Sequence, residues 1–412
     1  MTTVARESME VVSRELARPP APLPSRRADY NISIGYLRAF VRLLVFALHS
    51  LVAYYPGPAP APPLVLRMSI PIWDPRHFAG TRILIAFNEI TAMSLMFFLS
   101  GLFLWPSLSR KGARVFLRER TERLGLPFLV SGGLIAALAY YPSYLQATGS
   151  VGGLGGYFSD WMSFGRWMTG PAWFLIMLFG FDLIAAAAFV VAPAWGRRLG
   201  ELAANSATAP LRMFAIVVAV SAAAYVPMAV AFGPYDWWRI GPIWMQKCRT
   251  LQYGAYFFLG AAVGALGLNK GLVSKTGALA RAWPWWTLAM IAVFLLVGNA
   301  EAKAISAKVD RTLLWGALVA IGWVICCATC SFALISLFVR FAGRHPLLDA
   351  FANNSYGIYL IHYPFVTWTQ YELLHVHISP ILKGVSVVVV AIGSAWAAAA
   401  ALRRIPAIRR IV

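Results

Sequence analysis

Acidic residues are scarce in this chain of 412: 16 Asp and Glu stand against 36 Lys and Arg, and charged residues together make up only 13%. A soluble globular chain carries about 25% charged and about 45–50% apolar residues, so the 59% apolar content here excludes a water-soluble enzyme. Cysteine is scarce too, with four in the chain, and Cys326, Cys327 and Cys330 fall together in one apolar run. That excludes a disulfide scaffold, and their helical spacing reads as small buried hydrophobes, not a metal site. No apolar stretch of signal-peptide length precedes Ile34, no repeat of fixed period stands out, and no polar linker is long enough to set off a soluble domain.

What is there is apolar runs. A membrane helix needs about 20 mainly apolar residues. Ten segments approach that length, at about 34–55, 83–105, 125–146, 171–192, 211–232, 251–269, 283–299, 313–339, 352–374 and 379–402. The expected fold is all-α, a polytopic integral membrane protein with about ten transmembrane helices, because helices satisfy their own backbone in lipid. A flexible cytoplasmic tail is expected over 1–33, a membrane domain over 34–402 and a short basic cytoplasmic tail over 403–412.

The net charge of +20 suggests nucleic acid only if the cations form one solvated patch. They instead punctuate the apolar runs. The N-terminal tail, alternate connections and C-terminal tail hold 23 of them, the opposite connections hold 10, and Arg38, Arg42 and Lys383 fall inside spans. That asymmetry places both termini in the cytoplasm, with the lipid bilayer and not nucleic acid as the surrounding partner.

Ionisable side chains at mid-bilayer cost at least about 2.5–3.5 kcal/mol on insertion scales, so they are functional candidates. They are Arg38, Arg42, His49, Glu89, Asp182, His362, Glu372 and Lys383. Eleven residues at about 100° each bring Arg38 and His49 onto one helix face, about 16 Å apart along the axis. Arg38 then lies near the cytoplasmic mouth and His49 in the outer half of the bilayer. A histidine there fits either a hydrogen-bonded structural residue or a catalytic one. Glu89 and Asp182 are expected to pair with Arg38 or Arg42 as structural neutralisers.

After the second span come Phe97-Phe98-Leu99-Ser100-Gly101 and Trp105-Pro106, then Arg110, Lys111, Arg114, Arg118, Arg120 and Arg123 within fourteen residues. Six cations exceed what orientation requires, and arginine suits bidentate phosphate contact.

Leu37-Arg38-Ala39, His49, the Phe-Phe-Leu-Ser-Gly segment and Arg120-Thr121-Glu122-Arg123 together resemble the acyltransferase 3 family of membrane acyltransferases. Trp173-Phe174-Leu175 and Asn354-Ser355-Tyr356-Gly357-Ile358-Tyr359-Leu360-Ile361-His362-Tyr363-Pro364 resemble its later motifs. The loop from Arg120 to Pro127 is similar to the branch that contains glucans biosynthesis protein C. The resemblance implies transfer of an acyl group from acyl-CoA to a hydroxyl of a cell-envelope carbohydrate or lipid-linked acceptor, in a bacterial inner membrane. It implies that His49 is catalytic and that Arg38, Arg120 and Arg123 serve the donor. Acyl-CoA enters as substrate, with no bound cofactor and no metal. His362, Trp173, Glu89 and Asp182 stand as supporting candidates.

Elementary chemistry agrees with that placement. A sugar hydroxyl needs a base in the transition state, and His is the side chain matched to the task at neutral pH. The outer connections carry Trp73, Tyr157, Trp161, Trp167, Trp237, Trp238 and Trp244, which fit an interfacial belt or a sugar-stacking surface. The run Gly152–Gly156 reads as a flexible outer loop. Two other classes remain open: a secondary transporter, for which no matching halves are found, and a non-catalytic partner in envelope-polymer assembly.

Overall fold

The computed structural model describes residues 31–57, 70–149, 153–163, 168–241, 243–268, 271–306 and 313–409. Residues 1–30 of the expected 1–33 tail, the last three residues, Gly152 and Trp167 lie outside the described residues. All ten expected spans are helical. They are α1 (Ile32–Leu51), α2 (Thr81–Gly101), a rod made of α3 (Leu104–Arg120), α4 (Leu126–Leu129) and α5 (Ala136–Thr148), then α7 (Trp173–Val191) and α9 (Pro210–Phe232). They continue with α10 (Thr250–Ala265), α12 (Trp283–Ser306), α13 (Leu313–Phe341), α14 (Pro346–Glu372) and α15 (Pro380–Leu402). Shorter helices are α6 (Gly153–Ser163), α8 (Trp195–Leu202), α11 (Ala278–Arg281) and α16 (Pro406–Arg409).

Seven of these segments are long and apolar enough to cross a membrane, and Trp283–Asn299 is a shorter apolar helix. Of the other expected spans, α10 has only 16 residues. The protein is a polytopic membrane protein of the all-α class; among the described residues the one exception is a two-stranded antiparallel hairpin, β1 (Trp237–Ile240) with β2 (Ile243–Gln246).

Local chemistry sets the helix starts. α1 begins two residues before the expected boundary because the Asn31 side chain accepts from the Ile34 amide at 3.3 Å, filling an otherwise orphaned donor. α15 is capped the same way by Ser379, followed by Pro380 in the first turn.

Three sequence expectations change here. The Arg-rich connection is helical, not a loop. α3 breaks only at Gly112, whose φ of +73° suits glycine, and two π-helical turns over Thr121–Gly125 and Val130–Ile135 join it to α5. The glycine run is also helical from Gly153 onward, because Tyr157 and Trp161 dock α6 on a cluster containing Tyr140 and Tyr144. Among the outer aromatics, Tyr157 and Trp244 are buried in that same cluster, which removes them from an interfacial belt.

The helices group their ends by hydrogen bonding. At one end Tyr36 Oη donates to Asp349 at 2.9 Å, Arg403 donates to Asn354 Oδ1 at 2.8 Å, and Tyr356 Oη donates to the Arg123 carbonyl. At the other end Gln146 bonds both backbone groups of Trp73, and Lys383 pairs with Asp74.

α2 and α10 pack with their backbones in direct contact. A Cβ on Gly101 would stand 2.0 Å from the Phe257 carbonyl oxygen, one on Gly260 2.1 Å from that of Phe98, and one on Gly264 2.0 Å from that of Leu102. Gly101, the last residue of the Phe-Phe-Leu-Ser-Gly segment, is therefore a packing requirement: two backbones in direct contact leave no room for a side chain.

Candidate active site

A cavity of about 1800 Å³ is lined at one end by Lys111, Arg120 and Arg123, along its length by Arg38, Arg42 and His49, and toward the other end by Tyr55, Trp237 and Trp244. The sequence-derived set of Arg38, His49, Arg120, Arg123, Trp173 and Glu89 thus borders a single space.

The π-helical turn positions the Arg-rich end. Arg120 Nε lies 3.3 Å from Asp182 Oδ2 of α7, and its guanidinium covers the Phe116 ring at 4.9 Å. Arg38 lies over Phe103 at 5.4 Å. Arg42 donates to Ser355 Oγ at 2.7 Å and lies over the Tyr356 ring at 5.7 Å. Three guanidinium groups, of Arg38, Arg42 and Arg120, are thereby held by rings, a hydroxyl and one buried carboxylate.

Asp182 and Glu89 do not pair with Arg38 or Arg42, as had been expected. Asp182 takes Arg120 because α3 packs on α7, and Glu89 takes Arg249 because α2 packs on α10, whose first turn Arg249 precedes. Arg249 Nη1 reaches Glu89 Oε2 at 2.8 Å and its carbonyl at 3.1 Å. Lys383, fully buried, bonds Asp74 Oδ2 at 2.5 Å and the Leu374 carbonyl at 3.2 Å.

Around His49 the contacts determine the protonation pattern. His362 Nδ1 lies 2.8 Å from the Tyr359 carbonyl oxygen, which can only accept, so Nδ1 carries the proton. In the neutral ring His362 Nε2 is then a lone pair, and it accepts from His49 Nδ1–H at 3.2 Å. That leaves Nε2 of a neutral His49 as the basic nitrogen. His362 is 1% exposed and does not line the cavity, whereas His49 does. Tyr363 sets its ring edgewise to His49 at 5.2 Å, and Gln370 Nε2 donates to the His49 carbonyl at 2.8 Å and the Ser50 carbonyl at 3.1 Å. Those carbonyls belong to the last turn of α1, which has no helical partners to offer them.

Trp173, the first residue of α7, stacks on Tyr253 at 5.9 Å, and Tyr253 stacks on Phe97 at 4.9 Å. Sequence reasoning missed Tyr359, Gln370 and Arg249. The first two lie in or just after the motif segment ending at Pro364, and Arg249 was counted only as a cation of an outer connection. Beside it, the Lys247 ammonium bonds Asp236 at 2.7 Å and holds that carboxyl below its ordinary range, closing the base of the hairpin.

A family model described as an acyltransferase domain, Acyl_transf_3, matches residues 31–400, nearly all of the chain, without resolving a branch. No curated protein and no solved structure is matched by the chain.

Proposed function

The chain belongs to the acyltransferase 3 family and is a membrane acyltransferase, and from that premise we propose that it carries an acyl group from cytoplasmic acyl-CoA to a hydroxyl of a cell-envelope carbohydrate or lipid-linked acceptor. The observation that carries this reading is a shared cavity: His49, with its Nδ1 engaged by His362, borders the same space as Arg38, Arg120 and Arg123.

In this reading Arg120 and Arg123 bind the phosphates of the donor at the Arg-rich mouth. The rise of about 16 Å from Arg38 to His49 accommodates an extended pantetheine arm, bringing the thioester to the histidine. His49 Nε2 removes the proton from the acceptor hydroxyl as its oxygen attacks the thioester carbonyl. The C–O bond forms, the C–S bond breaks, and the proton passes from His49 to the departing sulfur, releasing free coenzyme A. The Arg-rich end faces the cytoplasm of a bacterial inner membrane, with both termini on that side. The acyl group crosses the bilayer and coenzyme A does not.

The test uses the purified full-length protein with acetyl-CoA and a free-thiol assay, alongside mass spectrometry of surface glycans and lipids from cells with and without it. His49-dependent coenzyme A release, together with an acylated surface product, supports the reading. A folded, inserted His49→Ala protein with full transfer overturns it.

A further inference from the structure

Glu89 and Arg249 form an ion pair on the cavity wall. Arg249 is 8% exposed, while the Glu89 side chain is 38% exposed, and both residues line the cavity. Arg249 is held rigidly: its guanidinium lies 4.7 Å over Trp323, which is itself stacked on Tyr225 at 6.2 Å with ring planes 16° apart. One carboxylate oxygen of Glu89, Oε2, is committed to Arg249. The other, Oε1, has no hydrogen-bond partner among the described residues. With 38% of the Glu89 side chain exposed and the residue on the cavity wall, the carboxylate is accessible to a ligand while Arg249 holds it in place.

The depth of the pair relates it to His49. Asn88, the residue before Glu89, donates its side-chain amide to the Leu44 carbonyl of α1. Leu44 precedes His49 by five residues, a rise of about 7.5 Å. Along α1, the Asn88 contact therefore lies about one and a half helical turns from His49, which puts Glu89 near the level of that histidine.

We propose that Glu89, fixed by Arg249, is the acceptor-binding residue of the site and takes a hydroxyl of an uncharged sugar ring. This inference rests on the acyl-transfer reading above. The charge of the carboxylate is balanced by its guanidinium partner, so the pair presents a hydrogen-bond acceptor without a net field. A hydroxyl donor is favoured there, and an anionic sugar meets a carboxylate oxygen that repels it. Trp237 and Trp315, bordering the same cavity, supply apolar faces for the C–H face of such a ring.

The experiment measures coenzyme A release from acetyl-CoA by the full-length protein in nanodiscs, with methyl β-glucoside or methyl β-glucuronide as acceptor. The wild type is expected to respond to the glucoside and not to the glucuronide. Glu89→Gln is expected to lose about tenfold or more in kcat/KM for the glucoside and to gain response to the glucuronide, because Arg249 is then unbalanced, while KM for acetyl-CoA is unchanged. Glu89→Asp keeps the charge and is expected to keep the preference at lower efficiency, which separates charge loss from misfolding. Unchanged glucoside kinetics in Glu89→Gln, equal loss for donor and acceptor, or a wild type that favours the glucuronide overturns the acceptor assignment alone. Absence of any His49-dependent coenzyme A release overturns the acyl-transfer reading and this inference with it.

Discussion

His362 Nε2 accepts from His49 Nδ1 at 3.2 Å, and Gln370 on the same helix donates to the His49 carbonyl at 2.8 Å. α14 thus grips both the ring and the backbone of the residue that borders the cavity. In the proposed role of His49, replacing it with Ala removes the base itself, and the expected loss in kcat is about 10²–10⁴-fold. His362→Ala leaves the base in place and frees its tautomer, so a smaller loss is expected, about 10- to 100-fold in kcat with donor KM unchanged. His362→Gln, whose side-chain carbonyl can still accept from Nδ1–H, is expected to recover part of it. Steady-state kinetics on the three variants checks the order.

Arg120 and Arg123 share the Arg-rich mouth, but only Arg120 answers a buried carboxylate, Asp182. Both single alanine variants are expected to raise KM for acetyl-CoA. Arg120→Ala should also lower thermal stability, because stranding a buried charge costs about 3–5 kcal/mol. Arg123→Ala should not. Thermal melting in detergent separates the two, and Arg120→Ala with Asp182→Asn should recover stability without recovering donor affinity.

How much of this was legible in the sequence depends on the range of the interaction. Arg38 and His49 share a helix, so their common face follows from the 3.6-residue period, and Arg120 and Arg123 announce themselves as an excess of charge. Partners set by packing between distant helices were not legible. Glu89 meets Arg249 across 160 residues, and nothing local in either segment favours that pairing over Arg38. Arg249 looked like a loop cation because it lies in the short turn between the hairpin and α10, and the hairpin carries no strong strand pattern in Trp237–Gln246. Gly101 was visible as part of a motif, yet its reason lies in the backbone of Phe257.

The α2–α10 contact gives a stability prediction that involves no catalytic group. A methyl group at Gly260 would sit 2.1 Å from the Phe98 carbonyl, so Gly260→Ala forces the helices apart. Overpacking of this kind costs about 1–3 kcal/mol and occasionally more. Gly298 in α12 has open space where its Cβ would be, and Gly298→Ala should be neutral or stabilising by about 0.5–1 kcal/mol through helix propensity. Melting temperatures of the two variants should move in opposite directions or, at the least, only the first should fall.

Lys383 and Asp74 tie α15 to the connection between α1 and α2, with both side chains almost wholly out of solvent. Asp74 also accepts from the Arg76 amide at 2.8 Å, and its own amide donates to the Ala53 carbonyl at 3.1 Å just beyond α1, so the pair anchors the chain that follows the His49 helix. Lys383→Met leaves the Asp74 carboxylate buried without its cation and is expected to cost about 3–5 kcal/mol. The double change Lys383→Met with Asp74→Leu removes both charges and their desolvation together, so most of that loss should return. Unfolding measured on the two single variants and the double variant gives the coupling directly. A double variant no more stable than Lys383→Met would mean that the hydrogen bonds of Asp74 to the backbone, and not its charge pairing, hold this segment in place.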